Sequence, residues 1–219
     1  MPIVGIDPCP DLQGDRHMAT QSRTARTHGW RVVDIVVAAV LGVAIGIIFV
    51  GWNFVGGAGY EAFNALTPGL GGLAVGIWLL GGVVGGLVIR KPGAAVAVEL
   101  IAALVSAAVG NQWGITTLYS GLAQGLGAEL VFLALAYRRW SLLPAALAGA
   151  GAAVVEWVVE LLLFGNLAKS AAFNVIYLVT MIISGAVLAG GVGWALTKAL
   201  AASGALSRFG SGREARTDV

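Results

Sequence analysis

The chain has 219 residues, of which 58% are hydrophobic and only 11% charged, with a formal net charge of +2. A soluble domain carries roughly 25% charged residues, so this composition excludes an ordinary soluble globule, and so small a net charge does not suit a nucleic-acid partner. Thirty-three glycines in so apolar a chain point to an all-α, polytopic membrane protein, in which small residues let helices approach closely.

Residues 1–29 are polar, with Pro2, Pro8, Pro10 and scattered charge, and are expected to form a disordered cytoplasmic leader. Met18 offers a second start within it. The apolar run that follows is membrane-length, longer than the roughly 7–15 residues of a signal-peptide core, which argues against reading the leader as a secretory signal. Cys9, His17 and His28 all fall in the leader, so there is no disulfide framework and no metal-ligand cluster.

Six apolar spans follow, at about 32–50, 70–89, 94–109, 118–137, 142–164 and 173–196. Each is near the roughly 20 residues a helix needs to cross the hydrocarbon core, the third being the shortest. Continuous runs without period-two alternation argue against a β-barrel. Residues 30–200 are therefore expected to be a six-helix transmembrane domain, and 201–219 a cytoplasmic tail.

Charge orients the bundle. With the N-terminus inside, twelve of the thirteen basic residues lie on the inner side and only Lys169 lies outside, the asymmetry the positive-inside rule demands. The expected topology is N-in/C-in. The inner loops, Arg90-Lys91-Pro92-Gly93 and Arg138-Arg139-Trp140-Ser141, are tight. The outer loops, at 51–69, 111–117 and 165–172, carry polar and aromatic residues, which suits capture of an external ligand. The alternative for Trp52, Trp113 and Tyr119 is an aromatic belt at the membrane interface.

Several polar residues sit at membrane depth. A carboxylate there must be paired, neutralised or functional. Glu99 lies in the inner half of the third span and reads as structural. Glu129 falls near the middle of the fourth span; the alternatives are a ligand contact, an interhelical bond or a proton path. Glu156 and Glu160, one turn apart, share a face of the fifth span. Asn174 and Tyr177 share a face near the outer end of the sixth. Gln124 is offset from Glu129 by about 140° around a regular helix, so the two should not meet one small ligand. No Lys or Arg sits at matching depth, so a cationic or amine-bearing ligand, supported by aromatic faces, could supply the partner. On the first span, Ala38, Gly42 and Gly46 at four-residue spacing form a small-residue groove, either for a partner subunit or for packing within the chain. There is no P-loop, no H-E-x-x-H and no G-x-S-x-G, so no catalysis and no cofactor is expected.

The run from Val88 to Trp140 resembles the YkoE family, most specifically in RKPGA, in the QWG after the third span, and in SGLAQGLGAELVF with its closing YRRW. Members are substrate-binding S components of energy-coupling-factor (ECF) transporters. The resemblance implies a six-helix membrane protein that binds thiamine or its hydroxymethylpyrimidine precursor from outside. Its implied partners are a transmembrane coupling subunit, docked on the Ala38, Gly42 and Gly46 face, and two cytoplasmic ATPases. Motif positions Trp113, Gln124 and Glu129 carry over as ligand contacts. Tyr119, Glu156, Glu160, Asn174 and Tyr177 join them because S components hold the ligand in the outer half, among the fourth to sixth helices. The rivals are a stand-alone proton-coupled secondary transporter of a small cationic solute and a ligand-free membrane scaffold.

Overall fold

The computed structural model describes residues 29–207, 209, 211 and 212. The expected leader, and most of the expected tail, lie outside the described residues. Six helices form a bundle, and no strand occurs among the described residues. They are α1 (Val32–Leu66), α2 (Leu70–Ile89), α3 (Ala94–Val109), α4 (Thr116–Ala134), α5 (Leu142–Leu163) and α6 (Ala171–Ala202). By length and composition α1, α2, α5 and α6 can each cross a membrane, and α3 is a shorter apolar helix.

The first outer loop is corrected. The stretch 51–66 continues α1, which has 35 residues and so spans about 52 Å at 1.5 Å per residue. No proline interrupts it before Pro68, and Thr67, held extended before that proline, ends it. One of its glycines marks a close contact rather than a turn: a Cβ on Gly56 would strike the Trp52 ring. Asn64 then accepts from the backbone N–H groups of Gly69 and Gly71 at 2.9 and 3.2 Å, fixing the entry into α2.

α2 is the central helix. It runs as a 3₁₀ helix over Leu70–Leu79 and as an α-helix over Leu80–Ile89. Leu79, Val83 and Leu87 pack toward α4, α5 and α6. Leu80, Val84 and Val88 join a second cluster with Ala38, Ile45, Phe49 and Val98 of α1 and α3, to which Leu206 and Phe209 add. Neighbours on every side leave room for little more than backbone at Gly72, Gly76 and Gly86, which face Tyr177, Ser184 and Phe132. The outward residues of the other helices, such as Val40, Ile47, Leu130 and Leu162, are large and apolar, as a lipid-facing exterior requires.

The Ala38, Gly42 and Gly46 stripe is also corrected. It is buried against α3 of the same chain: a Cβ on Gly42 would come within 2.6 Å of Ile101 Cβ, and one on Gly46 within 2.6 Å of Val105 Cβ. The small residues serve helix packing within the chain, and the exposed face of α1 is instead Val36, Val40, Val43 and Ile47. Gly46→Leu is expected to lower the apparent unfolding midpoint in detergent by about 5 °C or more. Overpacking costs about 1–3 kcal/mol, and each kcal/mol moves a domain of this size by about 2–4 °C. A differential scanning fluorimetry melt checks this; an unchanged midpoint with lost partner binding would return the stripe to docking.

At the end of the bundle carrying the Arg90–Gly93 turn, buried Asp34 binds Lys91 Nζ at 2.6 Å and the Arg31 guanidinium at 2.9 Å. Trp30 Nε1 donates to the Pro92 carbonyl at 2.9 Å. These contacts fasten the start of α1 to the α2–α3 turn.

Candidate functional site

At the opposite end of the bundle lies a cavity of about 470 Å³. That is the size range of small-molecule sites, roughly 300–1,000 Å³. The newly found half of α1 contributes Asn53, Tyr60 and Glu61; the 3₁₀ half of α2 contributes Trp78. The α3–α4 connection supplies Trp113, α4 supplies Ser120 and Gln124, and α5 supplies Glu156 and Glu160. Asn166 and Tyr177 close the far side.

One wall is aromatic and rigid. Trp78 meets Trp113 edge to face at 5.1 Å and Trp52 at 6.5 Å. Trp78 Nε1 donates to Asn53 Oδ1 at 2.9 Å, and Asn53 Nδ2 donates to Ser106 Oγ at 3.0 Å. Trp52 Nε1 donates to the Ala74 carbonyl at 2.9 Å. With its indole N–H bonded to Asn53, Trp78 presents an aromatic surface to the cavity beside Trp113, suited to a flat ligand.

The other wall is acidic. Glu160 accepts from Asn166 Nδ2 at 3.0 Å and from the Tyr177 hydroxyl at 3.1 Å. Tyr177 is stacked on Phe173 at 5.5 Å and meets Tyr60 edge-on at 6.1 Å. Glu156, 2% exposed, has an Oε2 atom without a hydrogen-bond partner. Among the described residues no Lys or Arg lines the cavity; Lys169 stands instead over the Phe173 ring at 4.3 Å. Lys169 is close enough to act on the charge of Glu160 but stays outside the lining, so the two carboxylates and the aromatic faces, with no basic residue among them, form a site suited to a positively charged, planar ligand.

Of the residues expected from the sequence, the structure brings Trp113, Gln124, Glu156, Glu160 and Tyr177 together around this cavity. Asn174 stands behind the lining. Its amide donates to the carbonyls of Asn166 and Ser170 at 2.9 and 3.3 Å, so it holds the segment that presents Asn166. Tyr119 is 55% exposed and outside the lining; its neighbours Ser120 and Gln124, four apart, take the inward face of α4.

Glu129 is placed elsewhere. Its oxygens accept from the backbone N–H groups of Gly93 and Ala95 at 2.7 and 2.9 Å, and from the Tyr137 hydroxyl. It closes the N-terminus of α3, at the end of the bundle away from the cavity. The physical reason is that α3 begins after Pro92-Gly93, with no side-chain cap of its own, and leaves N–H groups that a carboxylate satisfies. α4 also stops at Ala134, because Ala136 and Tyr137 turn into the left-handed region, so Glu129 is only five residues from the helix end. Asn53, Tyr60, Trp78, Ser120 and Asn166 are cavity residues that sequence reasoning missed. Asn53 and Tyr60, seven apart, share a helix face, and that spacing would have signalled them had 51–66 been read as helix.

The comparisons with known proteins agree with this architecture. Residues 33–155 match a family described as ABC-type cobalt transport system, permease component. A protein of Bacillus subtilis (strain 168), provisionally named HMP/thiamine permease protein YkoE, is 37% identical over 189 residues, covering 84% of this chain and 92% of that protein. A crystal structure of an S-component of an ECF transporter superposes with a TM-score of 0.73 at 33% identity, covering 87% of this chain and 95% of the other. With identity and coverage at these levels, the chain belongs to the YkoE family of integral membrane permeases and is an S component of the ECF transporter type.

Proposed function

We propose that this S component binds thiamine, or its hydroxymethylpyrimidine precursor, from the extracellular side. The orientation is N-in/C-in, which puts the cavity end outside and the Arg90 and Arg138 turns inside, in keeping with the positive-inside rule. A transmembrane coupling subunit and two cytoplasmic ATPases would supply the energy that reorients the protein and releases ligand inward. The carrying observation is the cavity itself: buried Glu156 and half-buried Glu160 face a Trp78–Trp113 wall with no basic residue in the lining. Thiamine matches both walls. Its thiazolium is cationic, and its aminopyrimidine is flat and carries an N–H donor.

The matched family's description mentions cobalt, but the donors favour an organic cation. Among the described residues no group of three or more His, Cys, Asp or Glu stands together. A first-row transition metal prefers imidazole or thiolate ligands, which this lining does not offer.

Isothermal titration calorimetry of the detergent-purified protein tests the assignment. Thiamine is expected to bind with a dissociation constant in the micromolar range or tighter. No heat with thiamine or hydroxymethylpyrimidine at such concentrations would sink it, and pH-driven uptake into vesicles lacking ATPases would favour a secondary transporter instead.

A further inference from the structure

Gln124 stands between two carboxylates, only one of which reaches the cavity. Glu156 is its neighbour on the cavity side. On the other side is Glu99, fully buried and absent from the lining. Glu99 Oε2 accepts the backbone N–H of Gly82, in the first turn of the α-helical half of α2.

An amide has a donating end and an accepting end, and its neighbours decide which way round it lies. The Trp78 carbonyl lies 2.8 Å from the inner end of the Gln124 amide, and Glu99 Oε1 lies 3.2 Å from it. A backbone carbonyl cannot donate. The NH₂ group therefore occupies that end and donates to both oxygens. Both of its N–H bonds are then used inside the protein, and the opposite arrangement would set a carbonyl against two acceptors. What remains for the cavity is the Gln124 carbonyl oxygen, beside the unpartnered Oε2 of Glu156.

We infer that Glu99 is a positioning residue for ligand selection. Together with the Trp78 carbonyl it holds the Gln124 nitrogen away from the cavity, which leaves Gln124 Oε1 and Glu156 Oε2 as a pair of acceptors. That pair selects an amino N–H over a carbonyl at the same place on the ligand. A site built to receive a donor rejects an isostere that presents an acceptor, because two buried oxygens would face a third. The inference rests on the proposed ligand class, in which the pyrimidine amino group is the donor.

Glu99→Gln separates positioning from simple capping. Its carbonyl can still accept from Gly82, but its NH₂ then faces the Gln124 NH₂, which keeps only the Trp78 carbonyl as acceptor, so the Gln124 amide loses one of the two bonds that hold its oxygen toward the cavity. Fluorescence titration of wild type and Glu99→Gln, with thiamine and with the analogue carrying oxo in place of the pyrimidine amino group, reads the outcome. Wild type is expected to favour the amino ligand by about 100-fold or more, and the variant by about 10-fold or less. An unchanged ratio in a folded, binding variant overturns the inference and leaves Glu99 a cap for α2. Wild type that binds neither ligand overturns the ligand assignment instead. Should Glu99→Gln not fold, Gln124→Met removes the acceptor while leaving Glu99 on Gly82; the ratio is expected to fall there too, and its persistence overturns the inference.

Discussion

Glu160→Gln is expected to weaken thiamine binding about 100-fold, roughly 2.7 kcal/mol, while changing the affinity for uncharged hydroxymethylpyrimidine by less than about 5-fold. The substitution keeps the shape: the amide carbonyl can still accept from Asn166, and the amide NH₂ can donate to the Tyr177 hydroxyl oxygen, at the positions whose bonds to Glu160 are 3.0 and 3.1 Å. What it removes is the negative charge, in a cavity with no basic residue in its lining. Truncating one partner of a buried charge pair costs about 2–5 kcal/mol, so the loss falls on the cationic ligand and not on the neutral one. Calorimetry with both ligands reads the difference. Equal loss for the two would mean that Glu160 shapes the cavity through Tyr177 and Asn166 rather than pairing with charge.

The second large effect is on stability. Glu129→Ala is expected to destabilise the protein by about 3 kcal/mol, lowering its apparent unfolding midpoint by about 6–12 °C. Three donors lose their acceptor together: the N–H groups of Gly93 and Ala95 and the Tyr137 hydroxyl. Hydrogen bonds to a charged group contribute about 1.5–3 kcal/mol each, and partial rehydration of that end of the bundle offsets part of the sum. Thiamine affinity of the folded fraction is expected to stay within about 3-fold, because Glu129 is not part of the cavity lining. A melt and a titration on one preparation decide it. A large drop in affinity with an unchanged midpoint would restore Glu129 as a ligand contact.

The contrast between Glu160 and Glu129 shows what could be read from the chain. Hydropathy found all six helices, and the bounds of α3 agree with expectation because Pro92-Gly93 and Gly110 bracket it. Glu156 and Glu160 were legible because one turn of spacing puts both on one face at the right depth. Glu129 was misplaced because the apolar span runs on to 137, which puts the residue near its middle, whereas the helix stops at Ala134. The chain did contain the correction: its angular offset from Gln124 already forbade a shared ligand, and a helix opening on Pro92-Gly93 lacks a cap. The missing wall of the cavity has a different cause. A segment with Gly51, Gly56, Gly57 and Gly59 has the composition of a loop, and only tertiary contacts, such as Trp52 and Asn53 bonding to neighbouring helices, make it a helix. Which way the Gln124 amide lies is wholly tertiary, since Trp78 and Glu99 come from two other helices.

The enclosed position of α2 also bears on heritable variation. Of its glycines, Gly71, Gly72, Gly76, Gly81, Gly85 and Gly86 each have another group where a Cβ would go, and around Gly72 and Gly76 that group includes the backbone of α6. Every amino-acid replacement that a single base change can make at a glycine codon adds a side chain. Drift in this segment is therefore confined to its leucine, valine and isoleucine positions, where exchange of one apolar side chain for another conserves volume. The lipid-facing surfaces of α1 and α5 carry no such restriction. Within this lineage, α2 should change most slowly even though much of it never touches a ligand, and its spacing of glycines is a record of the helices around it.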